Sequence, residues 1–318
     1  MFTYIAKRLL VMIPILLGIS VVIFTIANLM PGDVLDVMVN PTIGKQQMEL
    51  RRAELGLDQP IYVRYWQWVT HAVRGDFGYS LVTRESVARI IGDRIPKTVL
   101  LMGVALLISL SFAIPAGIIS AVKKYSLIDY IFTIGAFAGI SVPTFFFGLI
   151  LIYFFSVCLG WLPSGGTHSF LGSPNPVWDR ISHLIMPSLT LGMFYMAQFT
   201  RYIRSTLIDV MRQPYVDTAR AKGVIEWKVI LHHAGRNAMI PVITLLGLRL
   251  PFIFGGAVLT ETVFAWPGMG RLLVTCVYER DSATLVGITL MLGLLVVLSN
   301  LLVDLIYVIV DPRIRYAD

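Results

Sequence analysis

Six long apolar runs are separated by polar segments along this chain: Leu9–Met30, Thr98–Val122, Ile131–Leu159, Leu184–Thr200, Ala238–Thr260 and Thr284–Val310. Each holds about 17–29 residues, enough to cross a hydrocarbon core of roughly 30 Å at about 1.5 Å per residue. The pattern predicts an all-α, polytopic membrane protein with six transmembrane helices. The first run is too long for a signal-peptide core and no small-x-small cleavage site follows it, so it is expected to stay as a span. Prolines recur inside the runs at Pro14, Pro115, Pro143, Pro187 and Pro251. Neighbouring helices re-satisfy the backbone groups a proline frees, so these are expected as tolerated kinks. Gly135 and Gly139 form a GxxxG, expected to serve close helix packing.

The polar segments divide the chain into an N-terminal span (1–30), an outer segment (31–97), a five-helix core (98–310) containing an inner loop (201–237), and a tail (311–318). In the outer segment, Gln46–Leu57 has helical character. After Pro60, Ile61, Tyr65, Trp68 and Ala72 share one face, with Tyr62, Trp66, Val69 and Val73 beside it. That aromatic surface is expected to pack on the outer ends of the spans. In the inner loop, Pro214 suits the first turn of a short helix and Gly223 the position just past its end. Trp227, Ile230, Leu231 and Ala234 then follow at i, i+3, i+4 and i+7, predicting an amphipathic helix that runs into the fifth span. Between the fifth and sixth spans, Glu261–Leu272 must turn sharply at Trp266, Pro267, Gly268 and Gly270, with Trp266 suited to the membrane interface.

Composition fits this pattern. The chain is 56% hydrophobic and 14% charged, against about 25% charged in soluble domains. The formal net charge of +7 is explained by where the cations sit, with no nucleic-acid partner needed. With the N-terminus inside, the inner segments hold Lys7 and Arg8, Lys123 and Lys124, seven basic residues between Arg201 and Arg236, and Arg313 and Arg315; the two short outer loops hold Arg180, Arg271 and Arg280. Both termini and the Pro214–Pro241 loop are therefore expected in the cytoplasm; the long 31–97 segment crosses largely regardless of its charge. Cys158 and Cys276 are expected as small buried hydrophobes rather than a disulfide. His232 and His233 lack metal-site spacing, and no metal or catalytic residue is expected.

Charged residues inside spans are costly, which makes Arg249 and Asp304 informative. Arg249 lies about 16 Å from the inner end of its span and Asp304 about 9 Å from the inner end of its own. Either Arg249 faces a solute pathway or it pairs structurally with Asp304.

The Asp217-Thr218-Ala219 segment followed by Gly223, within ARAKG and then RNAMIP, resembles the cytoplasmic EAA loop of bacterial ABC importer permeases, in the dipeptide/oligopeptide branch. The chain departs from the family's usual Ile-x-Leu-Pro ending, carrying His233 to Arg236 there and Pro241 further on. Pro31–Asp33, Glu54–Pro60, Gly75–Ser80 and Asp311–Tyr316 resemble the same branch. The resemblance implies a type I ABC importer permease in a bacterial plasma (inner) membrane, surrounded by membrane lipid. It implies a homologous second permease subunit, two ATPase subunits that bind ATP and Mg, and an extracytoplasmic substrate-binding protein. It places Asp217, Thr218, Ala219, Arg220, Lys222 and Gly223 at the ATPase-coupling loop, and Trp266, Pro267, Gly268 and Gly270 at the outer mouth of the pathway. Peptides are the implied substrate, with glutathione or nickel complexes as alternatives within the branch.

Other classes fit less well. The chain lacks a GxxxxGK[ST] phosphate loop, so any ATP hydrolysis belongs to partners. A secondary transporter or channel is the alternative, but paired repeats and mid-membrane carboxylates are not evident. An intramembrane hydrolase lacks GxSxG and HExxH motifs. A plain lipid-binding basic helix remains the simplest competitor for the inner loop.

Overall fold

The computed structural model describes the backbone of residues 2–29, 58–80, 82–169, 172–255 and 257–310, and their side chains except at 2–9, 250, 251, 253–255 and 304–310. The expectations for Pro31–Asp33, Gln46–Leu57 and Asp311–Tyr316, and the side chain of Asp304, fall outside these residues.

Helix α1 (Phe2–Leu29) is followed by the short α2 (Ile61–Ala72) and the 36-residue α3 (Val87–Val122). A bent pair comes next, α4 (Leu127–Ser141) and α5 (Thr144–Leu151), with α5 continuing as a π-helical turn over Ile152–Cys158. Helix α6 (Pro176–Met211) leads into α7 (Pro214–Ala221); a single turn (Glu226–Lys228) and a π-helical stretch (Val229–Ala234) then lead into α8 (Gly235–Gly255). Two short helices, α9 (Val258–Val263) and α10 (Met269–Tyr278), precede α11 (Ser282–Val310). Among the described residues, all regular elements are helical, apart from an isolated bridge between Tyr79 and Ser86.

By length and composition, α1, α3, α8 with its preceding turns, and α11 can each cross a membrane, and the bent α4–α5 pair makes a fifth crossing if taken as one. The expected third span, Ile131–Leu159, is thus not a single rod: its two arms meet at 102°. Pro143 causes the break. It forces the preceding Val142 into extended backbone (φ −78°, ψ 125°), as proline does to its predecessor, and then starts the next helix.

The expected fourth span, Leu184–Thr200, lies inside α6, which is not among the helices apolar enough to cross by composition. At about 1.5 Å per residue its 36 residues reach about 54 Å, so it has the length of a sixth crossing without the apolarity. It is surrounded by α3, α4, α5 and α8, and polar side chains in membrane proteins sit on such inward faces. Small residues bring α3 and α6 together in parallel. A methyl at Gly192 would press on the Ala105 carbonyl (3.1 Å), and one at Gly117 on Ile203 (2.8 Å). Ala121 and Leu207 share one buried cluster. Helix α6 therefore runs on past Thr200 to Met211, with Leu207 packed at the level of Ala121 of α3.

Of the GxxxG pair, Gly139 packs on Met193 and Ala197 of α6, whereas Gly135 faces open space. Pro14, Pro115 and Pro187 lie inside continuous helices. In α2, Tyr65 and Trp68 stack on Phe24 of α1, and the Tyr65 hydroxyl meets Ser20 Oγ at 2.8 Å. Tyr62, Trp66 and Val73 stay exposed, so only one face of the aromatic surface is covered by this chain. Helix α8 ends at Gly255, and Thr260, expected in the fifth span, belongs to α9. Both cysteines are free; Cys276 is buried as expected, but Cys158 is exposed.

Candidate functional site

Helix α7 is amphipathic over eight residues, and its apolar side faces the membrane domain. Val216 and Ala219 are buried together with Ala121 of α3, Leu207 of α6, and Val229, Ala234 and Ala238 leading into and along α8. Gly223 ends the helix at φ +75°. The Gly223 and Val224 amides bond back to the Arg220 and Ala219 carbonyls (2.9 and 3.3 Å), which closes the helix with a left-handed residue. A Cβ at Gly223 would meet nothing within 4 Å. The glycine is therefore needed for its backbone angle and not for clearance.

Of the expected face of Trp227, Ile230, Leu231 and Ala234, Ala234 is buried and Ile230 half-buried, whereas Trp227 and Leu231 are exposed. Winding over Val229–Ala234 is π-helical, so residues five apart align, and Val229 and Ala234 are the buried pair. Trp227 is 61% exposed and Leu231 53%, with Ile225 also exposed beside them. The loop thus turns a seated face upward and an apolar face away from the bundle.

Asp217, Thr218, Lys222 and Gly223 are exposed and Arg220 half-buried, whereas Ala219 is part of the seat. Arg220 is held by Glu226 at 2.9 Å and Asp217 at 3.3 Å, which tie the two sides of the glycine turn together. Tyr215 accepts from Asn237 Nδ2 at 2.8 Å and adds a second tie.

Just above the seat, Asp129 joins three helices. Arg204 of α6 donates to both its oxygens (Nε 2.6 Å, Nη2 2.7 Å), Ser120 of α3 donates to Oδ1, and the Tyr125 amide donates at 2.9 Å. Sequence reasoning missed this pair. Its signal was a lone acid at the mouth of an apolar run, facing one of several arginines.

Toward the other end of α3 from the seat, the segment from Glu261 to Arg271 folds around a carboxylate. Glu261 is fully buried; Oε1 accepts from Thr98 Oγ1 at 2.9 Å and Oε2 from the Arg271 amide at 2.9 Å. Thr98 in turn accepts from the Met269 amide at 2.8 Å. A Cβ at Gly268 would collide with the Glu261 carboxyl, and one at Gly270 would press on Val258. Trp266 is not an interfacial anchor. It is 3% exposed, packed with Leu101, Met102, Ala105 and Leu191, and its indole N–H donates to the Lys97 carbonyl at 3.1 Å. Pro267 is half-buried in the turn. The structure brings Trp266, Gly268 and Gly270 together; Glu261 and Thr98, which organise them, were not singled out from sequence.

Arg249 of α8 is half-buried and donates from Nη2 to Gln198 Oε1 of α6 at 2.8 Å. Its guanidinium carbon lies 6.0 Å from the Phe252 ring. Among the described residues no group of three or more His, Cys, Asp or Glu side chains is placed to hold a metal ion.

The all-helical bundle with a helical elbow seated beneath it has the type I ABC importer permease fold. The solved structure titled "Inward facing conformations of the MetNI methionine ABC transporter" matches it with a TM-score of 0.55 and 16% identity, over 70% of this chain and 96% of that one. The chain belongs to the family described as "Binding-protein-dependent transport system inner membrane component", whose model matches residues 113–316; the family's N-terminal component model matches residues 1–102. It is 44% identical over 317 residues to the oligopeptide transport system permease protein AppB of Bacillus subtilis, spanning 99% of this chain and 100% of that protein. It is 43% identical over 316 residues to the glutathione transport system permease protein GsiC of Escherichia coli K12, again spanning 99% and 100%. The chain is thus a multi-pass transport permease of an ABC importer, a class that works with ATPase and substrate-binding partners.

Proposed function

We propose that this chain forms half of the translocation pathway of a bacterial peptide importer. It pairs with a homologous permease subunit, two ATPases that bind ATP and Mg, and an extracytoplasmic binding protein that delivers the solute. It sits in the plasma membrane with both termini inside, and it carries no catalytic residue of its own. Relatives at 43–44% identity over essentially the full length, named for oligopeptides and for glutathione, support a peptide or peptide-like solute.

One observation carries the coupling role: α7 is seated by Val216 and Ala219 while Ile225, Trp227 and Leu231 are exposed beside it. Apolar side chains outside the membrane need a cover, and an ATPase surface provides one. Closure of the ATPases pushes on α7, and the seat passes that push to α3, α6 and α8. Asp217, Thr218, Lys222 and Gly223 frame the docking face, and Trp266, Pro267, Gly268 and Gly270 border the outer mouth.

The test is co-purification of the ATPase subunits with the intact complex and peptide-stimulated ATP hydrolysis. Trp227→Asp and Thr218→Arg are expected to lose the ATPases while the permease pair stays assembled. Full retention of the ATPases and of transport in both variants overturns the assignment.

A further inference from the structure

The register of α6 against α3, set at Gly192 with Ala105 and at Gly117 with Ile203, puts Gln198 beside the middle of the apolar run Thr98–Val122. Arg249 bonds to Gln198 at that depth, so a guanidinium lies well within the membrane. A charge there faces the bundle interior or a water-filled cavity and not lipid. Gln198 belongs to a polar face of α6 that continues three residues on at Arg201, which is exposed with its guanidinium carbon 6.0 Å from the Phe137 ring. This face also accounts for the failure of α6 to be apolar enough for a lipid-clad span.

The bond to Gln198 is neutral. It orients the guanidinium without cancelling its charge, and a guanidinium has five N–H donors in a planar fork that fits a carboxylate with two parallel bonds. We propose that Arg249, oriented by Gln198, is a station in the pathway that binds the carboxylate of the passing solute, which in a peptide is its C-terminal carboxylate. The inference rests on the reading of this chain as a peptide importer's permease and adds the polarity with which the peptide is held. A half-buried station suits transport, because a fully buried pair would hold the solute too tightly to release it.

The experiment uses the full complex in proteoliposomes with its binding protein. Two tripeptides carry the same photoreactive side chain, one at the C-terminal residue next to a free carboxylate and one at the N-terminal residue, and turnover is stalled with vanadate before illumination. The C-terminal probe is expected to label α6 and α8 around Gln198 and Arg249, and the N-terminal probe to label elsewhere. Arg249→Gln is expected to cut the C-terminal probe's labelling about tenfold, the worth of one charge-assisted contact, and Arg249→Lys to keep part of it. Asp304→Asn is expected to leave it unchanged. Equal labelling from either end, or labelling indifferent to Arg249→Gln, overturns the station alone. Loss in Asp304→Asn that is repaired in the Arg249→Asp, Asp304→Arg exchange shows a structural pair and also overturns it. If neither probe enters or labels the wild-type complex, the peptide reading falls and takes the station with it.

Discussion

Arg204 of α6 grips Asp129, in the first turn of α4, with two parallel hydrogen bonds, 2.6 and 2.7 Å. The Asp129 side chain is 3% exposed and that of Arg204 25%, so the carboxylate is shielded from water. Ser120 of α3 and the Tyr125 amide take up its remaining acceptor capacity. The joint lies directly above Ala121 and Leu207, on which α7 is seated, so it makes the receiving helices move as a unit. Removing one partner leaves the other charge buried and unpaired, which costs about 3 kcal/mol. Asp129→Asn and Arg204→Gln are each expected to lower the thermal midpoint of the detergent-solubilised complex. Arg204→Lys is expected to recover less than half, because an ammonium cannot make the two-pronged contact. A midpoint unchanged in Asp129→Asn contradicts the joint.

Glu261 accepts at both oxygens from donors fixed by backbone or by helix α3. A glutamine there presents an N–H to one of these donors, so Glu261→Gln removes a buried charge and still destabilises. The expected cost is about 1–3 kcal/mol, that of a buried donor left without an acceptor. Gly268→Ala is expected to do similar harm from the other side, because its methyl would occupy the space of the carboxyl. Hydrogen exchange across α9 and α10 should accelerate in both variants while α3 and α6 keep their protection.

Much of this architecture is legible in the sequence, and the places where it is not share a cause. The existence of α1, α3, α8 and α11 follows from apolar runs, although α3 begins at Val87, ahead of the run Thr98–Val122, and the helix–glycine–helix elbow follows from Pro214 and Gly223. Helix α6 continues through Arg201 and Arg204, which in sequence look like the start of a loop. Pairing across 75 residues cancels Arg204's charge, and no local pattern reports such a partner. The seat beneath the bundle was misassigned for a different reason. A helical period assumes 3.6 residues per turn, and the π winding at Val229–Ala234 pairs the expected Ala234 with Val229 and leaves Trp227 and Leu231 outside. Trp266 reads as an interfacial residue by type, but it is buried because Glu261, five residues earlier, pulls the turn onto α3.

Asp179 lies in the first turn of α6 and accepts from Ser169 twice, at the hydroxyl (2.5 Å) and the amide (2.9 Å). These bonds hold its carboxyl below the ordinary value. A depressed carboxylate contributes stability that is present above the unfolded value, about 4, and is lost as pH falls through the folded one. The loop carrying Ser169 should therefore stay docked at about pH 4, where an unperturbed aspartate is half protonated, and release only in stronger acid. Asp179→Asn removes this dependence. Limited proteolysis of the loop carrying Ser169 across acid pH reads both; release that begins at ordinary carboxylate pH values contradicts the contact.

The two cysteines report on orientation and packing together. Cys158 ends the π-helical turn after α5 and is exposed, whereas Cys276 is buried in α10 against Phe77, Val87 and Ile288. Burial, with Asp281 and Glu279 nearby, pushes the Cys276 thiol up to about 12. The thiolate is the reactive form, so Cys276 has neither the access nor the ionisation to react at neutral pH. A membrane-impermeant maleimide added outside intact spheroplasts should label the native chain once, at Cys158, and should not label Cys158→Ser. Labelling of Cys158 only after the cells are opened would invert the topology, moving α7 to the outer face, away from any cytoplasmic ATPase. Labelling of Cys276 in the intact complex would mean that the α10 seat opens during the cycle.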